Sequence, residues 1–354
     1  MTASAAVGEA TDGSGVRLAI CGVGSAAMRA HLPALGHPGR PAPPEVVGIA
    51  DHDGTRLDAA LGHLPRARAF DAVEAMLDAT SPTILVVATP PSAHRRAIAA
   101  AVERGIHVLC EKPVGLDASD VASLRQLRRR HPETLMATVL QYRHAPTWRL
   151  FAEAVRQARR RDEEFSLSVL VERPGTDPLS AGGWRAQPLR EGGILGDHAV
   201  HYLALCWGLD PAARVVGCAR SGDGGAESAT VTLSLGRGTA EIHVTYQGRS
   251  RRNLITFEHR AEGLRLHWEN DGLFVGNPGP DEVASRVEAL SDRGMVNDLY
   301  VSLYDELLEN LDDGRWRAAR SAETVGVAGL LAAALAAGSG DRADVSTPAV
   351  GQVP

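Results

Sequence analysis

The chain has 354 residues, enough for two domains rather than one core, and its 44% hydrophobic and 23% charged residues are an ordinary globular balance. A net charge of −6 gives nucleic acid or an acidic membrane surface no footing as partner. The four cysteines, Cys21, Cys110, Cys206 and Cys218, form no CxxC pair and match no zinc spacing, so they read as thiols of a reducing, cytoplasmic compartment.

Residues 1–15 carry neither a basic n-region nor an apolar h-region and are expected to be a disordered leader rather than a secretory signal. From residue 16 short apolar runs alternate with helical stretches. VRLAIC, EVVGIAD, TILVVAT, IHVLCEKP and TLMATVLQYR read as strands. MRAHLPAL, GTRLDAALGHL, HRRAIAAAVERG and DASDVASLRQLRRRH read as helices, the last capped by Asp117. The strand runs are apolar throughout, so both faces of their sheet are covered. Strands separated by helices of this length predict a doubly wound parallel α/β sheet, a Rossmann domain over residues 16–143.

Beyond that point the pattern changes. A helix at APTWRLFAEAVRQARRR leads to an alternating strand, EFSLSVLVERPG, and to a second helix, GDHAVHYLALCWG. Five closely spaced alternating runs follow, from ARVVGCARSG to GLRLHWEN, and predict an antiparallel meander. Helices over 296–312 and 318–337 complete an α+β domain spanning 144–338. Its last apolar run, 325–337, is shorter than a bilayer span and reads as a buried helix. Residues 339–354 are expected to be a disordered tail.

The first strand runs into Gly22-Val23-Gly24-Ser25-Ala26-Ala27, a GxGxxA turn between a strand and a helix. Gly22 permits the tight turn, Gly24 lets the backbone approach a pyrophosphate, and the helix starting at Ser25 and Ala26 offers free N–H groups to it. Asp51, ending the second strand, can accept from the ribose hydroxyls and so favours NAD; as a plain helix cap it would do neither. Arg56 keeps NADP open. The third strand ends in ATPPSAH, which places Thr89, Pro90, Pro91 and His94 against the same cofactor, with the prolines as a rigid wall.

Of the 37 basic residues, 36 are arginine; the one lysine is Lys112. It follows the fourth strand, at the carboxyl end of the sheet where open α/β folds bind ligands. An ammonium can shed its proton where a guanidinium cannot. Glu111 beside it either pairs with that ammonium or faces the cofactor. In EGGILGDHAVHYLALCWG, Asp197 and His201 stand four apart on one helix face, and Gly192, Gly193 and Gly196 permit a close approach beside it. Asp197 also reads as a first-turn acid and His201 as a satisfied core histidine. His198 with His201 makes no metal set. Tyr142, Arg143, Trp184 and Arg185, with aromatic faces and fork-like donors, are candidates for a substrate pocket, or for ordinary packing.

Taken in order, ICGVGSAA, VVATPPSAH, VLCEKP, QYRHAP, WR and GGILGDHAVH resemble the glucose–fructose oxidoreductase / inositol dehydrogenase (Gfo/Idh/MocA) family over residues 16–338. The departures are Ala199, where the family often has glycine, and His52, where it often has arginine. The resemblance implies a Rossmann domain with a second domain whose open sheet makes a homodimer or homotetramer. It also implies hydride transfer between NAD or NADP and a secondary alcohol of a sugar, cyclitol or nucleotide-activated sugar. The EKP lysine and the DxxxH pair would act on substrate, which assigns Lys112, Asp197 and His201 as catalytic. Open alternatives are an NADPH-dependent ketoreductase of secondary metabolism, a dinucleotide-sensing regulator without chemistry, and a redox-neutral glycosidase.

Overall fold

A computed structural model of the chain describes residues 15–38, 43–160, 164–175, 191–222, 226–259, 263–269, 272–276, 286–287 and 295–338. The leader, the tail, Trp184 and Arg185 lie outside the described residues.

The apolar runs of the first half become β1 (Arg17–Cys21), β2 (Glu45–Ala50), β4 (Ile84–Val87), β5 (His107–Cys110) and β6 (Met136–Thr138). With β3 (Arg68–Phe70) they form one parallel sheet in the order β3-β2-β1-β4-β5-β6. The order reverses between β1 and β4, which opens a crevice at their carboxyl ends. Helix α1 follows β1, π-wound over Ala27–His31 and α-wound over Leu32–Leu35; α2 (Gly54–Leu61), α3 (Val73–Thr80), α4 (His94–Val102) and α5 (Ala118–Arg130) supply the crossovers. Asp117 caps α5 as expected, accepting from the Asp120 N–H at 2.8 Å. The sequence reading missed β3 and α3. β3 is the three-residue edge strand Arg-Ala-Phe, too short and too exposed for an apolar run to mark it.

In the second half α6 (Pro146–Arg160) leads to β7 (Phe165–Pro174), then α7, π-wound over Leu195–Ala199 and α-wound over Val200–Leu209. The second sheet holds β7 with β8 (Arg214–Ser221), β9 (Ser228–Leu235), β10 (Gly238–Thr245), β11 (Gln247–His259), β12 (Leu264–Glu269), β13 (Gly272–Gly276) and β14 (Arg286–Val287), ordered β14-β13-β12-β11-β7-β10-β9-β8. The expected simple meander is corrected here. β7 enters between β10 and β11 and runs parallel to β10, while its pairing with β11 is antiparallel. Its strict alternation of buried and half-buried residues suits a central strand covered on one face.

Two helices then return to the first sheet. α8 (Met295–Glu309) buries Tyr300, Leu303, Tyr304 and Leu307 in one cluster with Leu18, Ile20, Ala27 and Ala30. α9 (Gly314–Ala337) sets Val325, Ala328 and Ala332 into the core of the first sheet, and Val327, Leu330, Leu331 and Ala334 into that of the second. The apolar run therefore belongs to a 24-residue helix, long and apolar enough by length and composition to cross a membrane, contrary to the expected short run. Half of its most apolar window is buried inside the protein, between the two sheets.

Candidate active site

The glycine turn has the geometry a dinucleotide needs. Gly22 adopts φ +89°, and a Cβ there would stand 2.7 Å from the Ala88 and Thr89 backbone. Above Gly24 the only neighbour among the described residues within 4 Å of a Cβ is Arg56 Nη1, at 4.0 Å, so a ligand backbone can lie against it. Thr89 Oγ1, buried at the end of β4, has no hydrogen-bond partner. An open glycine face beside an unsatisfied buried hydroxyl fits a nicotinamide dinucleotide held by the turn and by Thr89.

Asp51 sits one residue beyond β2 and is buried. Its Oδ2 accepts from the Val23 N–H and its Oδ1 from the Asp53 N–H, both at 3.0 Å. His52 Nδ1 approaches Oδ1 at 3.3 Å and Arg56 Nη1 at 4.0 Å. The capping role belongs to Asp53, which accepts from the Thr55 and Arg56 N–H groups. Asp51 therefore ties the end of β2 to the glycine turn, with the His52 ring and the Arg56 guanidinium at its rim.

Two expected cofactor contacts are corrected. His94 is fully buried, its Nδ1 2.7 Å from the Pro113 carbonyl and its Nε2 2.8 Å from the Thr89 carbonyl. No ring nitrogen is left for a ligand, and the imidazole instead bridges the ends of β4 and β5. Glu111 faces inward. Its Oε1 meets His31 Nε2 at 3.1 Å and accepts from Tyr300 Oη at 2.6 Å, while Oε2 accepts from the Lys112 N–H at 3.2 Å. His31 Nδ1 in turn lies 2.8 Å from Tyr304 Oη. Burial raises the Glu111 pKa, but the His31 hydrogen bond and charge, with Tyr300 and Lys112, outweigh it and hold the carboxyl at about 2. Of the wall, Pro91 is buried and Pro90 exposed, and Ser92 donates from its N–H and its hydroxyl to the two oxygens of buried Glu191, both at 2.8 Å. That contact pins the wall to the segment leading into α7.

Lys112 does not pair with Glu111. Its side chain is 12% exposed, and the ammonium donates to Asp197 Oδ1 at 2.7 Å and to the Asp197 carbonyl at 2.6 Å. The peptide bond to Pro113 is cis. The glycines explain how α7 comes so near. A Cβ on Gly196 would meet Pro113 Cγ at 3.1 Å, and one on Gly192 would meet Leu116 Cδ2 at 2.8 Å. Gly193, at φ +56°, leaves room for the Glu227 carboxylate, which accepts from the Ile194 N–H at 2.9 Å. The other oxygen of Asp197 accepts from Tyr246 Oη at 3.2 Å and lies 3.4 Å from His198 Nε2.

His201 stands one turn beyond Asp197, buried, and makes no hydrogen bond to any described residue; its Nδ1 is an unsatisfied buried nitrogen. The Asp197 carboxylate is turned to the Lys112 ammonium and not to this ring. Burial first, then the charges of Lys112 and His198, push the His201 pKa well below the usual histidine value, so the ring is neutral at neutral pH. Tyr142 packs on it with ring centroids 4.4 Å apart. His201, Tyr142 and Arg143 line one cavity of about 270 Å³ between α6, α7 and α9. Arg143 is held there by Glu323 at 2.6 Å and Glu306 at 3.4 Å. Among the described residues no group of three or more His, Cys, Asp or Glu could hold a metal.

Sequence reasoning missed Tyr246, His31, Tyr300 and Glu191. Position alone could have suggested His31, on the helix that follows the glycine turn. The others reach the site only through tertiary contacts.

Residues 16–139 match a family described as oxidoreductases with an NAD-binding Rossmann fold, Gfo/Idh/MocA. The chain is 32% identical over 111 residues to a D-xylose 1-dehydrogenase (NADP(+)) of Haloferax volcanii, covering 31% of this chain and 34% of that protein. An inositol 2-dehydrogenase of Leifsonia xyli is 34% identical over 82 residues, 23% of this chain and 24% of its own length. An uncharacterized oxidoreductase of Synechocystis is 25% identical over 203 residues, 57% of this chain and 53% of its own. The chain thus spans about a quarter to a half of these relatives. Among solved structures, the 3-ketoreductase KijD10 of Actinomadura kijaniata, in complex with NADP and TDP-benzene, matches with a TM-score of 0.75 at 19% identity, covering 91% of this chain and 98% of that one. A levoglucosan dehydrogenase in complex with NADH matches at 0.72 and 16%, covering 92% and 98%. At such identities the likeness is one of fold. The family match is thus carried by residues 16–139, the part of the chain that holds the parallel sheet and the glycine turn.

Proposed function

We propose that this protein is a nicotinamide-dependent oxidoreductase acting on a secondary alcohol, or the matching ketone, of a sugar or cyclitol. The observation that carries the reading is the Lys112–Asp197 contact at 2.7 Å, which joins the carboxyl end of the parallel sheet to the helix bearing His201. When bound, a nicotinamide dinucleotide supplies the hydride exchange; the glycine turn and Thr89 would hold it. The protein's own groups position the carbon and manage one proton. The Lys112 ammonium, oriented by Asp197, donates to the substrate oxygen and offsets the negative charge that develops there. His201, neutral and without a hydrogen bond of its own, takes the hydroxyl proton in the oxidising direction and returns it in the reducing one.

The test is a screen of sugars, cyclitols and nucleotide-activated sugars with NAD and NADP, following absorbance of the reduced cofactor. Lys112→Arg is expected to lower kcat by about a hundredfold or more, while the dinucleotide Kd moves less than about threefold, because a guanidinium keeps the charge but not the compact, titratable ammonium. Equal losses in kcat and in dinucleotide affinity would mean that the lysine only holds the cofactor.

A further inference from the structure

We infer that the substrate is an anionic polyol, a monosaccharide-sized molecule bearing one carboxylate or phosphate, received in the cavity between α6, α7 and α9; the inference rests on the hydride-transfer reading above. The floor of the cavity is His201 with Tyr142 and Trp148, and its walls carry four guanidinium groups against two carboxylates. The positive excess is localised. Arg143 and Arg320 share Glu323 at 2.6 and 2.7 Å, and Arg143 also meets Glu306, so those charges are balanced within the protein. Arg149 and Arg156, both on α6 and both exposed, are left to form the rim. Among the described residues the Arg156 side chain meets the exposed Glu153, at 3.1 Å, a pair of little strength. Among the described residues Arg149 makes no ion pair, and its side chain donates one hydrogen bond, from Nε to the Arg143 carbonyl at 3.4 Å.

The two observations are independent and point the same way. A rim of exposed guanidinium donors that the protein's own acceptors engage only weakly recruits an oxyanion. The floor carries a buried imidazole whose Nδ1 has no partner, which a hydroxyl of the same molecule would satisfy. Size limits the ligand. At about 270 Å³ the cavity lies below the range of roughly 300–1,000 Å³ that takes drug-sized ligands. A single sugar ring with its anionic group is of a size with this cavity.

Calorimetry on the full chain saturated with dinucleotide tests this, using glucuronate, glucose 6-phosphate, neutral glucose and myo-inositol, and UDP-glucose. The wild type is expected to bind the sugar acid or the sugar phosphate at least about tenfold more tightly than the neutral polyols, with affinity falling as salt rises. Whichever anion wins identifies its chemistry. Arg149→Gln, an exposed change that leaves the melting temperature in place, is expected to remove about tenfold of that preference and nothing from the neutral ligands. Equal affinity for neutral and anionic polyols, no binding of any of them, or tightest binding of UDP-glucose independent of Arg149 would overturn the inference. Failure here is distinguishable from failure of the proposed function. Arg149-dependent anion binding without cofactor reduction removes only the hydride chemistry, whereas turnover of a neutral polyol with kcat/KM unchanged in Arg149→Gln removes only the anion site.

Discussion

Two buried carboxylates flank the same lysine and do different work. Glu111 is saturated within the layer of the first sheet, with α1 supplying His31, α8 supplying Tyr300, and the Lys112 main chain completing the set. Asp197 lies on the other half of the molecule and takes the Lys112 side chain. One acid fixes where the backbone of the lysine runs; the other fixes where its ammonium points. Equal burial therefore does not mean equal role: a carboxylate that fixes only backbone and scaffold groups is an anchor, and one that holds the end of the lysine side chain sets where that ammonium meets a ligand.

The strongest way to break this comparison is to remove the ammonium. Lys112→Met leaves Asp197 as an uncompensated buried charge and is expected to cost about 3–5 kcal/mol of stability, together with about a thousandfold of kcat. Lys112→Met with Asp197→Leu is expected to recover most of the stability and none of the turnover, since an apolar pair of similar volume replaces a buried ion pair at little cost. Urea unfolding midpoints read beside kcat separate the two effects. A double variant that regains activity would remove Lys112 from the chemistry.

The Glu111 side of the comparison is a matter of acid stability. Its folded pKa of about 2 is below the ordinary 4.5, so in the range between them the unfolded chain takes up the proton first. The resulting stabilisation, about 3 kcal/mol, is complete above about pH 4.5 and is lost as the pH falls through about 2. Glu111→Gln is expected to remove that pH dependence and to lower stability at neutral pH, with His31 losing its anionic partner. The check is the free energy of unfolding of both proteins from pH 2 to 7, and parallel curves would show that Glu111 is not the anchor.

His201 gives a smaller effect and sharpens the catalytic side. His201→Asn is expected to lower kcat about a hundredfold with dinucleotide affinity unchanged. Because burial and the Lys112 charge depress the pKa of the ring, it stays neutral well into the acid range, and the acid limb of kcat falls below the ordinary histidine value near 6.5. The same depression makes its contribution to stability full above about 6.5 and lost as the pH falls towards the folded pKa. An acid limb unmoved in His201→Asn would assign the proton to another group.

What the sequence made legible follows the range of the contacts. The glycine turn, the helix cap at Asp117 and the ends of β4 and β5 are local features, and each is marked by residues adjacent in sequence. Lys112 and Asp197, 85 positions apart, were each legible as a site residue, one from a strand end and one from a glycine-flanked helix, but their contact with each other was not. The inward turn of Glu111 was not legible, because its partners stand 80 and 189 positions away and carry no pattern of their own. Nor was the burial of His94 between two carbonyls, since nothing in PPSAH shows which way the ring turns. The place of β7 between β10 and β11 was hidden for the same reason: alternation reveals which face a strand buries and not which neighbour it takes.

The smallest effect belongs to Tyr246, and it decides how Asp197 holds the lysine. The phenol donates to Asp197 Oδ2 at 3.2 Å while the ammonium holds Oδ1 at 2.7 Å, so the carboxylate is gripped at both oxygens and cannot rotate away from Lys112. Tyr246→Phe removes one buried hydrogen bond to a charged group, which is worth about 1.5–3 kcal/mol at most, and leaves the ammonium contact in place. The expected result is a five- to tenfold loss of kcat, roughly 1 kcal/mol of barrier, with KM for the polyol little changed, because the loosened carboxylate misplaces the ammonium for part of the time. A fall of a thousandfold would mean that the phenol itself handles the substrate proton. A change confined to the melting temperature would show that the ammonium needs only one oxygen of Asp197 to be held in place, and that the second grip is structural.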